Sequence, residues 1–238
     1  VVFSVFCARR GHWRWAAASA LLAGLTRPTA FALAPALAWE YGRQQGIWRS
    51  ASWRHSAWRS LRWLRTLAGG LAVATAAPLG LGCYLLFLQL RYGNALMPFV
   101  AEGRYHGHEH WPVWQTLAEL IRRFLNPPTW SPDVALLYIV GGLLILFLVI
   151  TLLNIRRLPL LYTLYMLATL YLVLATPIPH RAELLPSAGR YLLVSVPVFL
   201  LFSRWINRRP ALEMLIVGGG FMLQALFAVF FLHGAWIE

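Results

Sequence analysis

The sequence predicts an all-α fold, a polytopic bundle of transmembrane helices, and three observations carry that expectation. First, 59% of the 238 residues are hydrophobic and only 12% are charged, with a mean hydropathy of +0.60. That is more apolar side chain than a soluble core can absorb. Second, apolar runs of spanning length recur, among them Leu67–Leu90, Val134–Leu153 and Leu212–Leu232. Third, arginines gather in the short segments between those runs. All 21 basic residues are arginine, and the net charge is +13. A charge of that size can mean nucleic acid. Here its confinement to inter-helix segments points to a membrane surface instead, and no nucleic-acid partner is expected.

Taken in order, Val1–Cys7 reads as the tail of a helix that began further upstream, reaching the cytoplasm at Arg9-Arg10. The chain opens Val-Val-Phe-Ser-Val-Phe. That start is too short to span and carries no cleavage pattern of a signal peptide, so the sequence reads as N-terminally truncated. Two apolar runs follow, Trp15–Leu25 and Thr29–Trp39, flanking Thr26-Arg27-Pro28. Each run covers about 17 Å as a helix, against roughly 30 Å of hydrocarbon. Either they form a re-entrant helical hairpin with Arg27 at its tip, or one long helix kinked at Pro28. Basic residues flank the stretch on both sides, Arg9, Arg10 and Arg14 before it and Arg43 onward after it. The positive-inside rule wants both flanks in the cytoplasm, which favours the hairpin. Pro28 then opens the second half-helix, where its missing N–H costs nothing.

Residues 42–66 form a basic cytoplasmic loop with Trp48, Trp53, Trp58 and Trp63 spaced five apart. It reads as an interfacial amphipathic helix with Trp and Arg at headgroup level. A span over Leu67–Leu90, with a kink expected at Pro78, leads to an external loop, residues 91–133. Within that loop, Leu117, Leu120, Ile121 and Phe124 give Trp114–Phe124 a helical period along the surface. Further spans are expected at Val134–Leu153, Leu158–Ala175, Tyr191–Trp205 and Leu212–Leu232, all within a single transmembrane domain, 1–238. The alternation puts fourteen arginines on the cytoplasmic side (9, 10, 14, 43, 49, 54, 59, 62, 65, 156, 157, 204, 208, 209) and seven outside (27, 91, 104, 122, 123, 181, 190). That bias agrees with the positive-inside rule. The expected location is integral to a bacterial inner (cytoplasmic) membrane.

Chemistry is expected where cations meet helix starts on the external side. A guanidinium amid apolar sequence costs roughly 2.5–3.5 kcal/mol on insertion scales, which singles out Arg27. Arg190 and Tyr191, behind Ser187 and Gly189, open another span. Two cations beside two helix N-termini suit a phosphate or pyrophosphate; the competing reading is a pair of snorkelling interfacial arginines. His106, His108 and His110 form an H-x-H-x-H run around Glu109. Without further ligands it reads as a solvated loop rather than a metal centre. Asn94, Glu102, His108 and Glu109 are possible external-loop contacts, and Glu102 or Glu109 could act as a general base. Glu40 and Glu213 read as interfacial. The cysteines, Cys7 and Cys83, read as small buried hydrophobes. Gly218-Gly219-Gly220 reads as a site of close helix packing. Walker, nucleophile-elbow, H-E-x-x-H and dinucleotide patterns are absent.

The segments LTRPTAFALAPALAWEY, RYGNALMPFVAEG and SAGRYLLVSVPVFLLF, in this order, resemble integral-membrane mannosyltransferases, the GPI mannosyltransferase II (PIG-V-like) family of GT-C glycosyltransferases. The resemblance runs from about Trp15 to Phe202 and implies the C-terminal part of a GT-C-like fold. It implies transfer of a sugar, mannose in that family, from a polyprenyl-phosphate-linked donor to a hydroxyl of an acceptor glycan or glycolipid on the external face, with membrane lipid as a further partner. Arg27 would match the basic residue of the family's Thr-Arg segment, and Arg190-Tyr191 its Arg-Tyr pair. Ala95 stands where the family's Gly-Asn-Pro-Leu segment has proline. The family's catalytic acid lies in a first external loop, upstream of this chain, so no catalytic residue is assigned; no cofactor is assigned either, and a divalent metal is left open. The alternative class is a transporter or flippase for an anionic lipid or solute, since broken helices aimed at an anion also serve transport. A non-catalytic scaffold would have little use for a deep arginine.

Overall fold

The computed structural model describes residues 1–47, 61–101, 103–104, 107–127, 132–181, 184–185, 188–193, 195–207 and 209–232. Every regular element among them is helical. The order is α1 (Val2–Arg9), α2 (Trp13–Thr26), a 3-10 turn (Pro28–Ala32), α3 (Leu33–Gln44), α4 (Leu61–Tyr92), α5 (Met97–Ala101), α6 (Val113–Leu125), α7 (Pro132–Leu153), α8 (Leu160–Leu174), α9 (Ala188–Leu193), α10 (Val196–Ile206) and α11 (Pro210–Leu232). Among the described residues, three stretches are long and apolar enough to cross a membrane: Trp63–Tyr92, Val134–Leu153 and Pro210–Val229. The chain forms two compact units, one of Val1–Ala101 with Asn154–Leu172, the other of Glu102–Leu153 with Val173–Glu238.

In the first unit, α2 and α3 form a hairpin rather than one kinked helix. A continuous helix would hold Trp13 and Tyr41 about 42 Å apart. Instead their rings meet edge to face at 4.9 Å. Gln44 Nε2 donates to the Ala8 carbonyl at 2.9 Å, tying the end of α3 back to α1. The reversal is made at Arg27, which is extended (φ −148°, ψ 132°), and at Pro28, the first residue of the 3-10 turn. Proline is at home there because its N–H would have no helical acceptor.

The hairpin packs on α4 through small residues. Ala16, Ala20 and Gly24 recur every four residues on α2 and are buried. They face Val73, Ala76, Ala77 and Gly80 of α4. At the crossing the backbones touch: a β-carbon on Gly24 would strike the Ala77 carbonyl, and one on Gly80 the Leu21 carbonyl. Lower on α4, Gly69 and Gly70 accept the ring of Tyr41. Such close approach maximises dispersion contact where apolar burial alone cannot drive helices together. α4 runs unbroken through Pro78.

In the second unit, Leu120 and Phe124 of α6 seat against Gly141 of α7, and Tyr138 Oη donates to the Phe124 carbonyl at 3.1 Å. A helix is present where Trp114–Phe124 predicted one, as Val113–Leu125.

Several expectations need correction. The span expected at Tyr191–Trp205 is broken into α9 and α10, with Ser195 at φ −76°, ψ 58° between them and Pro197 in the first turn of α10. Proline cannot donate to the preceding turn and biases the residue before it away from helix. The stretch at Leu158–Ala175 yields the 15-residue α8, about 22 Å long, short of a full hydrocarbon crossing. Gly218, Gly219 and Gly220 are exposed and face open space, so the close packing expected there has no counterpart among the described residues. Cys7 is buried as expected, but Cys83 is exposed. Most of the 42–66 loop lies outside the described residues, including Trp48, Trp53 and Trp58.

A sign contrast follows from the glycines. Gly219→Ala should raise or leave unchanged the thermal unfolding midpoint in detergent, because alanine is the better helix former by about 0.5–1 kcal/mol. Gly24→Ala should lower it, because the added methyl forces α2 off α4 at a cost of about 1–3 kcal/mol.

Candidate functional site

The hairpin tip presents Thr26 and Arg27 side by side, both exposed. The Thr26 hydroxyl donates back to the Ala23 carbonyl at 2.9 Å. Arg27 N–H donates to the same carbonyl at 3.0 Å, and the Arg27 carbonyl accepts from Ala30 N–H at 3.1 Å. Both backbone groups are thereby used in the turn, while the guanidinium forms no ion pair or hydrogen bond among the described residues. The tip's level on α4 is set by the contacts of Leu21, Gly24 and Leu25 with Ala77 and Gly80. From Gly80, α4 continues about 16 Å to Arg91. The surface around the tip is apolar, with Leu22, Leu25 and Phe31 exposed.

The opposite end of the hairpin is closed by a buried carboxylate. Glu40 is 1% exposed. Its Oε1 accepts from Arg43 Nη2 at 2.6 Å, Gln44 Nε2 at 2.9 Å and Arg9 Nη1 at 3.4 Å, and its Oε2 from Arg43 Nε at 3.0 Å. The Arg9 guanidinium also lies 5.8 Å from the centroid of the Tyr162 ring. Glu40 is therefore the joint between α1 and α3, a stronger role than the interfacial one expected. The i,i+3 pair with Arg43 is legible in sequence; the contact with Arg9 joins residues 31 apart.

In the second unit the histidine segment is pinned to the chain after α8. Glu109 N–H donates to Pro177 O at 2.9 Å and Trp111 N–H to Ala175 O at 3.1 Å. His108 Nδ1 lies 3.0 Å from Thr176 O. Gly107 has φ +71° and admits the His180 ring against its α-carbon, an approach that a side chain would block. Glu109 is exposed and its Oε2 accepts from Trp111 Nε1 at 2.9 Å. From the far side, Arg123 of α6 donates to the carbonyls of Pro179 (2.6 Å) and Arg181, and its Nε donates to Glu119 at 2.7 Å. Two segments that the charge pattern assigned to the external side are thus hydrogen-bonded to each other.

The remaining expected residues are scattered. Asn94 is exposed and its Oδ1 caps Leu96 N–H at 3.0 Å, a turn-forming role. Glu102 and His106 lie outside the described residues, as does Ser187. Arg190 sits in α9, with its side chain outside the description, and Tyr191 is half-buried. Arg27 belongs to the first unit and Arg190 to the second. No cluster of three or more His, Cys, Asp or Glu suited to a metal occurs among the described residues. Three hydroxyls, of Thr116, Thr163 and Ser195, are fully buried without a partner there; Ser195 marks the break between α9 and α10.

Glu119 gives the second unit a pH signature. Hydrogen bonds from Arg122 hold its carboxyl down to about 2 from the usual 4.5, burial opposes that, and Arg123 adds to it. A carboxyl lowered in the folded state stabilises fully above its unfolded value, and that contribution is lost as pH falls through the folded one. Amide exchange protection of α6 should therefore weaken between pH 4.5 and 2, and Glu119→Gln should remove that dependence. At the hairpin base, Glu40→Ala should destabilise the first unit by about 1–3 kcal/mol, read as a lower unfolding midpoint.

Comparison with known proteins returns no matching family model, no matching curated protein and no matching solved structure, so the functional reading rests on the residues above.

Proposed function

We propose that this chain serves a membrane glycosyl transfer of GT-C type, in which Arg27 binds the phosphate of a polyprenyl-phosphate-linked sugar. One observation carries the reading: an exposed guanidinium without a carboxylate partner among the described residues, at the tip of a helical hairpin whose level on α4 is about 16 Å short of Arg91. If α4 crosses the bilayer, that level falls well inside the hydrocarbon. An unpartnered cation there is costly, and an anionic ligand removes the cost. A lipid phosphate reaches this depth because its own tail is apolar. The exposed Leu22, Leu25 and Phe31 offer that tail a matching surface.

The chemistry suits the geometry. As the glycosidic bond to phosphate breaks, negative charge grows on the phosphate oxygens, and a fixed guanidinium stabilises it more than it stabilises the ground state. Arginine also presents paired N–H donors to two phosphate oxygens. Separately, in the second unit, the exposed Glu109 carboxylate with Trp111 beside it offers a polar and an aromatic surface to a sugar hydroxyl. Thr26 does not serve as a phosphate donor on this reading, since its hydroxyl is engaged by Ala23.

The transporter alternative draws on a separate observation, the interruption at Ser195 between α9 and α10 with its unpartnered buried hydroxyl. Broken helices of this kind line ion and substrate paths. Movement of a labelled polyprenyl-phosphate sugar across proteoliposomes without transfer to an acceptor would favour it.

Arg27→Ala should weaken binding of polyprenyl phosphate to the reconstituted protein by about tenfold or more, the worth of a charge-assisted hydrogen bond. Arg27→Lys should fall between, keeping charge but not the paired donors. In membranes that carry the protein, the alanine variant should abolish sugar transfer while leaving expression intact. Unchanged turnover would remove the site.

A further inference from the structure

α6 carries three faces, and the structure accounts for two of them. At 3.6 residues per turn, Thr116, Leu120 and Phe124 share the face turned toward α7, where Leu120 and Phe124 close on Gly141. Glu119 and Arg123 lie on the adjoining face, which holds the segment after α8 through the Pro179 and Arg181 carbonyls. The third face is a stripe at i, i+4, i+7 and i+11: Trp114, Ala118, Ile121 and Leu125. All four are exposed, Trp114 and Leu125 each by 75%. This stripe points almost directly away from Arg123.

We propose that α6 is an interfacial elbow whose Trp114–Leu125 stripe is immersed at the headgroup–acyl boundary of the external leaflet, with phospholipid as its occupant. The inference rests on the membrane reading of α4 and α7 given above. Three observations commit the stripe to lipid. The C-terminal end of α6, at Leu125, leads within seven residues into α7, which is of spanning length, so that end cannot travel far from a membrane surface. Its contact with α7 falls at Gly141, about 13 Å along α7 from Pro132, which places α6 beside the outer part of the span rather than above it. The exposed apolar surface also continues down α7 itself through Ile145, Leu146 and Val149. On the polar side the same helix keeps Arg122 and Glu119 paired at 2.7 Å, with Arg122 exposed. An interfacial helix with an aromatic end and a charged flank is stable in that zone.

The elbow has a consequence for the proposed site. Because Arg123 grips the Pro179–Arg181 carbonyls, a helix anchored in the leaflet also holds the Glu109–Trp111 segment and its partner strand of chain at the membrane surface.

The test is spin-label accessibility in the full chain, reconstituted in phosphatidylcholine–phosphatidylglycerol vesicles. Labels are introduced singly by Ile121→Cys, Leu125→Cys, Gln115→Cys and Leu146→Cys in a Cys83→Ala background; Cys7 is buried and can remain. Labels at 121 and 125 should collide freely with oxygen and at least about threefold less with a water-soluble nickel chelate than the label at 115 on the polar face. The label at 146 reports the span independently. Should it be lipid-exposed while 121 and 125 are as open to nickel as 115, the elbow is overturned and the membrane reading stands. Should 121 and 125 be closed to both reagents, protein rather than lipid covers the stripe, and the elbow is overturned. Should 146 itself be open to nickel, the membrane reading fails and takes the elbow with it.

Discussion

The backbone-to-backbone crossing of α2 and α4 is the constraint on which the first unit depends. Gly24 and Gly80 allow each helix to rest on the other's carbonyls, with no side chain between. In an apolar medium two helices gain nothing from burying leucine against leucine, because lipid offers the same contact. Close approach and dense packing then decide where a helix stops sliding. Here they stop α2 at one level on α4, and the level of everything attached to α2 follows, the Arg27 tip included. Glu40 fixes the other end by drawing Arg9, Arg43 and Gln44 into one buried knot. The tip is thus suspended between a steric stop and an electrostatic one, and a group so held would lose little freedom on binding a ligand.

The second unit solves a different problem with the same economy. Among its described residues, the chain between α8 and α9 has no regular structure to satisfy its carbonyls. Pro177 and Ala175 take N–H groups from the histidine segment, while Pro179 and Arg181 take the Arg123 guanidinium. Arg123 can do this because Glu119, one turn earlier, orients it. What looks in sequence like a charged helical face on a loop is therefore a clamp holding α6 to the segment after α8.

How much of this the sequence carried depends on the range of the interaction. The hairpin was legible because both of its cues are local: two half-length apolar runs, and arginines on both flanks. The bounds of α6 were legible from its period. The ion pairs of Glu119 and of Glu40 with Arg43 follow from helical spacing alone. Glu40's second arginine did not, since nothing in a single sequence links residues 9 and 40. The glycine triplet on α11 drew attention as a packing site, whereas the crossing is built from Ala16, Ala20 and Gly24, a stripe at four-residue spacing whose small side chains hide in an alanine-rich run. Spacing was the informative signal, and a contiguous run was not. The break at Ser195 had a local cue as well, Pro197, whose effect was outweighed in the reading by the length of the apolar run around it.

The arginines themselves show why Arg27 stands apart. Arg9, Arg43, Arg122 and Arg123 each meet a carboxylate, and Arg10 lies over the Phe6 ring at 4.5 Å. Others, such as Arg91 at the end of α4 or Arg156 and Arg157 after α7, flank long apolar helices, where a guanidinium can reach water along its own stem. Arg27 has neither recourse. It follows a run of apolar residues, precedes another, and sits on a turn whose level is dictated by glycine contacts half-way along a helix of spanning length. Among the described residues that charge has no carboxylate partner, and on the proposed reading its partner arrives from outside, anionic and able to travel through lipid. A phosphate on a polyprenyl chain meets both requirements; a soluble anion meets only the first.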